Sequence, residues 1–189
     1  CAHPGGAAIC GAMLWYPDET IQHAGIVTGL GGYAGHSHKY KKKGGSGYLF
    51  RTSTVQDFSG VTGACLLVKT SVWDEVKGLD EAFAVAFNDV DFCLRVRDAG
   101  YRIAWTPYAE LIHYESKSRG GDEKDPVKAA RFAAEQQRLY TIHGKENILD
   151  DPYYNPNLTR DREDFSESDD LRRLKEGRVT VRFRGGTLQ

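Results

Sequence analysis

The amino-acid sequence predicts an α/β fold, and three observations lead to that prediction. Short apolar runs rich in β-branched and aromatic residues recur along the chain, as is typical of strands. Between them lie segments whose apolar residues follow helical spacing, and several of these stop at a glycine. The chain has 189 residues, 40% hydrophobic and 27% charged, which suffices for one domain with a sizeable core.

The part of the sequence between residues 61 and 120 carries most of this pattern. Residues 61–68 form a short apolar run, which favours a buried strand. Thr70 or Ser71 is then in place to cap a short helix, and Gly78 ends it. A strand, a helix and a turn are therefore expected in close order.

Residues 88–97 predict a second helix. Asn88 is a candidate N-cap, and Asp89 lies in the first turn, where a carboxylate complements the helix dipole. Gly100 follows as a stop signal. The apolar residues recur at helical spacing, so one buried face is expected, formed by Val90, Cys93, Leu94 and Arg97.

Two strands come after this helix. Residues 101–106 and 109–114 have strand composition, and Pro107 separates them because it cannot donate to a ladder. His113 lies near the end of the second strand. The strand ends and the start of the preceding helix are expected to face one cleft.

Other regions predict one long helix and a basic loop. A helix from about 127 to 143 has Pro126 in its first turn and is expected to cover the sheet. Residues 29–47 combine seven glycines with four lysines, which indicates a mobile, solvated basic loop. His36 and His38 within it have the spacing of two metal ligands on one strand face, but no third ligand is near in sequence.

The last forty residues predict little compact structure. Residues 150–158 indicate an extended surface segment, and 159–168 are so highly charged that a linker is expected. Ser168 is in place to cap a short helix through Lys175, and 178–183 alternate like an amphipathic strand without an obvious partner.

Several of these segments together resemble the carboxy-terminal half of family-two inverting glycosyltransferases of the GT-A fold, of the rhamnosyltransferase-like kind that builds bacterial surface polysaccharides. The order and spacing of the segments carry the resemblance, which covers roughly residues 5–158. Its components are residues 14–18, 21–25, 62–68, 78–81, 88–95, 99–101, 106–107, 113–116, 118–120 and 151–158.

The resemblance implies a GT-A-like mixed sheet flanked by helices, of which this chain would be the acceptor-side half. Residues 1–158 would form that half, and 159–189 a charged linker with a short helix and strand. The nucleotide-binding βαβ unit and Asp-x-Asp metal motif with which such enzymes begin have no counterpart after Cys1. We therefore expect a fragment that is poorly active or inactive alone.

The resemblance also implies an activity. The complete enzyme would transfer a sugar, with inversion, from a nucleotide-sugar donor to a glycan or lipid-linked acceptor, with Mn²⁺ or Mg²⁺ as cofactor. Asp89 maps to the base, Trp73 and Asp91 to acceptor contacts and His113 to a metal ligand. Arg119 would bind a phosphate, and the basic loop of residues 29–47 would close over substrate or touch a phosphate if it is not merely solvated. The enzyme would act in the cytoplasm or at the inner face of the cell membrane.

Each of these residues also has a plainer interpretation. Asp89 could only complement the helix dipole, and Asp91 stands four residues before Arg95, the spacing of a helical ion pair. His113 could be a hydrogen-bonded structural residue. Trp73 and Trp105 could stack on sugars, but aromatic residues among apolar neighbours usually belong to a core.

Composition excludes some classes of protein. With 25 Lys and Arg against 26 Asp and Glu, the net charge is −1, which argues against nucleic-acid binding. No run of about 18 apolar residues predicts a membrane span, so any membrane association would be peripheral, through segments absent from this sequence. Cysteines at 1, 10, 65 and 93 without Cys-x-x-Cys spacing favour free thiols in a reducing compartment.

Two other functions compete with the transferase. A non-catalytic module that binds a glycan or a protein partner could keep the fold without the chemistry. A metal hydrolase built on Asp89, Asp91 and His113 is a weaker alternative, because neither a nucleophile nor a second histidine accompanies them.

Overall fold

The computed structural model describes residues 6–114 and 125–169, together with two short strands of the carboxy-terminal tail. The described strands are β1 (Ile9–Trp15), β2 (Ile21–His23), β3 (Ile26–Thr28), β4 (Ala34–His36), β5 (Gln56–Asp57), β6 (Leu66–Val68), β7 (Ile103–Ile112), β8 (Arg182–Phe183) and β9 (Gly186–Thr187). The described helices are α1 (Thr70–Glu75), α2 (Asn88–Asp98), α3 (Pro126–His143) and α4 (Lys145–Leu149).

A mixed five-stranded sheet forms the centre of the protein. β1 pairs in parallel with β7 on one side, and β2 and β6 pair antiparallel with opposite ends of its other side. β5 adds an antiparallel strand to the far edge of β7. β3 and β4 form a separate two-stranded hairpin. The predicted α/β class is therefore confirmed.

β7 is a single ten-residue strand, where the sequence predicted two strands broken at Pro107. Ala12 of β1 pairs with Thr106, but the next residue, Met13, pairs with Glu110. Residues 107–109 bulge out of the ladder, which accommodates a proline that has no N–H to donate. The predicted break in the pairing at Pro107 is confirmed. The predicted division into two strands is wrong, because the same strand continues after the bulge.

Helix α2 is packed on two sides. Phe92, Cys93 and Val96 belong to the core cluster shared with the sheet. Val90 and Leu94 belong to a second cluster with residues of α3 and α4. Because the helix lies between the sheet and the other helices, it is buried on more than the one predicted face.

The helix starts differ from the sequence prediction. Lys69, without a side-chain hydrogen bond, is the N-cap of α1, so neither Thr70 nor Ser71 has the predicted role. Phe87, with a left-handed φ of 63°, is the N-cap of α2, and Asn88 is its first residue. The predicted stop at Gly78 is confirmed, since its N–H donates to the carbonyl of Trp73 at 2.9 Å.

The buried strand predicted for residues 61–68 is much shorter. Only Leu66–Val68 pairs, and it does so with β1 alone. Val61 is fully buried, whereas Leu67 is mostly exposed. An apolar run does not distinguish a central strand from a loop followed by an edge strand, because both bury some of their residues.

The glycine-rich region was wrongly predicted to be a solvated loop. It forms the β3–β4 hairpin, and Ser37 and His38 are almost fully buried. His38 accepts a hydrogen bond from the N–H of Tyr48 at 3.0 Å and stacks on Phe165, with ring centroids 4.2 Å apart. The lysine-rich tip, residues 40–45, is exposed as predicted, and so is Gly31.

The segments predicted to be extended and to be a linker are folded. Asp151 is fully buried and accepts hydrogen bonds from the backbone N–H and the hydroxyl of Thr28, at 2.7 and 3.2 Å. Phe165, only 5% exposed, joins the main core. Glu163 accepts the N–H of His36 at 2.8 Å. Residues 150–168 therefore pack against the body of the protein instead of leading away from it.

Other predictions for the ends of the chain are decided in part. Arg182–Phe183 does have a partner, because it pairs with Gly186–Thr187, while the predicted helix from Ser168 to Lys175 lies almost wholly outside the described residues. Cys10, Cys65 and Cys93 are free thiols, and burial raises the pKa of Cys93 to about 12. None of the described helices is long and apolar enough to cross a membrane.

Candidate functional site

A pocket of about 250 Å³ opens at the start of α2. The β3–β4 hairpin forms one wall, the segment before α2 and the helix start form a second, and α3 and the 159–168 segment complete it. It is lined by Ile26, Tyr33, Ala34, Gly35, His36, Lys39, Phe87, Asp89, Val90, Phe132 and Glu163.

Asp89 is the acidic residue that α2 places at this pocket. Its Oδ2 accepts a hydrogen bond from the N–H of Gly63 at 2.8 Å, and its Oδ1 accepts one from the N–H of Val90 at 2.8 Å. The side chain is half-buried. Because each carboxylate oxygen has a further lone pair, an oriented carboxylate of this kind is able to accept a proton from a bound hydroxyl.

Aromatic rings hold the backbone in front of Asp89. The ring of Phe87 packs edge-on against Tyr33, with ring centroids 5.5 Å apart. It also packs at a tilt against Phe132 of α3, with ring centroids 5.0 Å apart. Its left-handed φ is unusual for a bulky residue and costs conformational energy. The buried Glu135 accepts the N–H of Ala86 at 2.6 Å, which further fixes the segment. α3 therefore supports the acidic motif directly.

A second pocket, of about 450 Å³, continues from the first. The two share Tyr33, Ala34, Gly35, Lys39 and Glu163. Tyr40 and Arg162 line the outer part, and the ring of Tyr40 stacks on Tyr16 at 5.6 Å. The two pockets form a groove with aromatic, basic and acidic side chains, a lining suited to sugar rings and their hydroxyls.

Asp91 does not face this groove. It is 1% exposed, and its Oδ2 accepts from Arg95 at 2.9 Å while its Oδ1 lies 2.8 Å from Nε2 of His143. Burial alone would raise the pKa of Asp91, but hydrogen bonds from His143 and Arg95 lower it below the ordinary value. The predicted Arg95 ion pair is confirmed, and the predicted acceptor contact is corrected to this buried structural role.

The two tryptophans lie in different environments. Trp105 is fully buried and donates its indole N–H to the carbonyl of Ala12 at 3.1 Å, so it belongs to the core and not to a sugar site. Trp73 on α1 remains about one third exposed and packs at a tilt against Phe92, with centroids 5.2 Å apart. It does not line the Asp89 pocket.

The predicted metal ligand is held at the end of β7. The backbone N–H of His113 donates to the carbonyl of Trp15 at 2.9 Å, and its Nδ1 is buried without a hydrogen-bond partner among the described residues. Within residues 6–114 and 125–169, no three His, Cys, Asp or Glu side chains are grouped as a metal site. Arg119, the predicted phosphate ligand, lies outside the described residues.

Several residues of the groove were not identified from sequence. Tyr33, Phe132 and Glu163 lie far apart in the chain, and no sequence pattern connects them. His36 and Lys39 were noted, but within a loop predicted to be solvated.

Comparisons with known proteins point in one direction. No protein-family model matches the chain. It is 49% identical over 161 residues to the uncharacterized protein y4gI of Sinorhizobium fredii, and 35% identical over 150 residues to the O-antigen biosynthesis protein RfbC of Myxococcus xanthus. These matches cover 85% and 79% of the chain, but only 18% and 11% of the relatives' own lengths.

A shorter match gives a more specific name. Over 80 residues, 42% of the chain, the sequence is 35% identical to the N-acetylglucosaminyl-diphospho-decaprenol L-rhamnosyltransferase of Mycobacterium tuberculosis, of which it covers 24%. The chain thus spans less than a quarter of each of these relatives. Together, these similarities support a glycosyltransferase family for the chain.

Proposed function

We propose that this chain is the acceptor-side part of an inverting glycosyltransferase with a GT-A-like fold, in which Asp89 is the general base. One observation carries the proposal: the carboxylate of Asp89, oriented by the N–H of Gly63, lines a groove with side chains suited to sugars. The similarity to proteins named for O-antigen biosynthesis and rhamnosyl transfer supports it.

The reaction would be a single displacement. A hydroxyl oxygen of the acceptor forms a bond to the anomeric carbon of the donor sugar, and the bond from that carbon to the diphosphate oxygen breaks. The nucleoside diphosphate leaves from the opposite face, so the configuration inverts. The proton of the acceptor hydroxyl passes to Asp89, a contribution of the size general-base catalysis provides, about 10²–10⁴-fold.

The acceptor would be a glycan or a lipid-linked sugar lying in the groove. Tyr33 and Lys39, shared by both pockets, would contact it on either side of the reacting sugar. Trp73 lies outside the pocket and would contact only a more distant part of the acceptor.

The donor side of the reaction would need groups beyond the described residues. Mn²⁺ or Mg²⁺ would stabilise the leaving diphosphate. We propose that His113 supplies one ligand through its buried ring nitrogen and that Arg119 binds a phosphate oxygen. The other ligands would come from the diphosphate and from protein segments outside this sequence, and the active protein would work at the cytoplasmic face of the membrane.

Replacing Asp89 by Asn in the full-length protein tests the proposal. The assay follows release of nucleoside diphosphate from a nucleoside diphosphate L-rhamnose with a lipid-linked N-acetylglucosamine acceptor, chosen from the name of the M. tuberculosis relative. We expect kcat to fall by about 10²–10⁴ with donor binding retained. The matched control is Asp74→Asn, at an exposed carboxylate on α1, which should leave turnover unchanged.

The competing hypothesis of a non-catalytic binding module makes the opposite prediction. Such a module would bind the glycan acceptor without turnover, and Asp89→Asn would change only its affinity. Turnover that is insensitive to Asp89→Asn would instead exclude this residue as the base.

A further inference from the structure

A pair of histidines lies at the inner wall of the Asp89 pocket. His23 on β2 is fully buried, and its Nδ1 lies 2.8 Å from Nδ1 of His36 on β4. The two rings meet edge to face, with centroids 5.1 Å apart. His36 lines the pocket beside Asp89, whereas His23 does not.

The backbone determines which nitrogen of His23 carries the proton. The N–H groups of Gly25 and Thr62 both point at its Nε2, at 3.3 and 3.4 Å. A ring nitrogen that accepts hydrogen bonds carries no proton, so the proton of neutral His23 must be on Nδ1. Burial, and to a smaller extent the neighbouring His36, hold the pKa of His23 well below its ordinary value, which keeps it neutral.

The proton on His23 in turn determines the state of His36. Because Nδ1 of His23 donates, Nδ1 of His36 accepts, and the proton of neutral His36 lies on Nε2. A second proton on Nδ1 of His36 would meet the N–H of His23 at a separation of 2.8 Å between the nitrogens. The pair therefore favours His36 as a neutral donor through Nε2.

His36 is also fixed through its backbone. It pairs with Ile26 of β3, and its N–H donates to Glu163 at 2.8 Å. A Cβ at the preceding Gly35 would lie 2.6 Å from the carboxylate of Glu163. The close packing at Gly35 and the bond to Glu163 leave the imidazole of His36 little freedom to move in the pocket.

Two adjacent peptide groups connect this pair to the proposed base. The N–H of Thr62 points at His23, and the N–H of the next residue, Gly63, donates to Asp89. The histidine pair and the carboxylate are therefore held by the same two-residue segment. Hydrogen bonds from two adjacent peptide groups therefore hold the histidine pair and the carboxylate in position relative to each other.

We propose that His36 positions the acceptor by donating its Nε2–H to an oxygen of the acceptor sugar while Asp89 takes the proton of the reacting hydroxyl. His23 is a positioning residue that acts by keeping His36 in this tautomer. The other charged side chains of the pocket are Lys39 and Glu163. This inference rests on the proposed function, and two measurements separate the failure of one from the failure of the other.

The first measurement is the tautomeric state of the histidines in this chain. Two-bond ¹H–¹⁵N correlation spectra of ¹⁵N-histidine-labelled protein at pH 7.5 should give His23 as the Nδ1–H form and His36 as the Nε2–H form. Replacing His23 by Ala should leave His36 as a mixture of tautomers, with an unchanged far-UV circular dichroism spectrum as the check on folding. A doubly protonated or Nδ1–H His36 in the unmodified chain overturns the inference.

The second measurement uses the full-length protein and the rhamnosyl-transfer assay. His36→Ala should raise the acceptor KM about tenfold, the loss expected for one hydrogen bond, with a smaller change in kcat. His36→Gln, whose amide N–H reaches the position of Nε2, should restore KM, whereas His36→Asn, with its amide nearer Nδ1, should not. His38→Gln is the control, because this buried histidine lies outside the pocket. The acceptor KM of the His38→Gln variant should equal that of the unmodified protein.

Each result has one meaning. If the Ala, Gln and Asn variants of His36 all have the same acceptor KM as one another, the amide of Gln does not replace Nε2–H. His36 is then purely structural, and the positioning role is overturned. If the unmodified protein transfers no sugar, the proposed function fails and the role of His36 in transfer fails with it, while the spectra still decide the tautomers.

Discussion

The N–H of Gly63 donates a hydrogen bond to Oδ2 of Asp89 at 2.8 Å, across 26 residues of sequence. This contact connects the loop before β6 to the start of α2. It orients one carboxylate of the acidic motif towards the groove, while the second, Asp91, is turned into the core. Two carboxylates separated by one residue therefore have different roles.

The requirement at position 63 is the N–H, and an alanine there should be tolerated. A Cβ at Gly63 would lie 3.5 Å from Cβ of Asp89, an ordinary contact. Gly63→Ala should change the free energy of unfolding by less than about 0.5 kcal/mol. The control is Gly11→Ala, because a Cβ there would lie 2.4 Å from the side chain of Val61. This variant should lower the free energy of unfolding by about 1–3 kcal/mol, and urea unfolding measures both variants. A large loss for Gly63→Ala would contradict the described contact.

Removing the Asp91 carboxylate should damage the fold. Asp91→Ala leaves Arg95 and His143 without their shared partner, and breaking a buried pair costs about 3–5 kcal/mol. The control is Asp74→Ala, at an exposed carboxylate on α1, which should change the free energy of unfolding by less than about 0.5 kcal/mol. Equal effects from the two variants would exclude the structural role of Asp91.

Because the pKa of Asp91 is lowered, the contribution of Asp91 to the free energy of unfolding depends on pH. A carboxylate with a depressed folded pKa stabilises the protein above its unfolded pKa, near 3.8, and loses that effect as the pH falls through the folded pKa. Below about pH 3.8, the difference in unfolding free energy between the unmodified chain and Asp91→Ala should therefore shrink.

The buried His38 should make the protein less stable in mild acid. Burial, with smaller contributions from Lys41 and Arg51, lowers the pKa of His38 to about 3. The unfolded chain takes up a proton below its ordinary pKa of 6.5, and the folded chain does not, so stability falls as the pH drops from 6.5 towards 3. The expected loss is about 1 kcal/mol per pH unit in this range.

Replacing His38 by Gln tests this dependence. Glutamine does not titrate, and its side-chain oxygen is able to accept the N–H of Tyr48 that His38 now accepts. Urea unfolding between pH 8 and 4.5 should show a shallower pH slope in the variant, and the buried His23, whose pKa is also lowered, accounts for the slope that remains. An unchanged slope would exclude His38 as a source of the acid sensitivity.

The segment predicted to be a linker should be required for stability. Phe165 packs on Tyr48, Tyr154 and the ring of His38, so Phe165→Ala should cost about 3–5 kcal/mol. Phe50→Ala is the matched control, because Phe50 is 66% exposed and should cost less than about 0.5 kcal/mol. A loss of stability no larger than that of the control would restore the linker interpretation.

Local patterns in the sequence were sufficient for the class of fold and for many element boundaries. Helical spacing located α2, Pro126 marked the start of α3, and Gly78 marked the end of the turn after α1. These features depend on residues within one or two turns of each other, whose preferences act within the local backbone. The resemblance to the glycosyltransferase family, and not a local pattern, identified Asp89 as the candidate base.

Only the tertiary structure decided which face of each element is buried and which residues meet. Asp89 and Asp91 differ because Gly63 approaches one and His143 the other, and neither partner is near in sequence. Charge made residues 159–168 resemble a linker, yet a single phenylalanine packs into the core and fixes them. The sequence by itself determined the class of fold, helices α2 and α3 and the acidic motif, whereas contacts between distant segments, which composition does not encode, determined the groove.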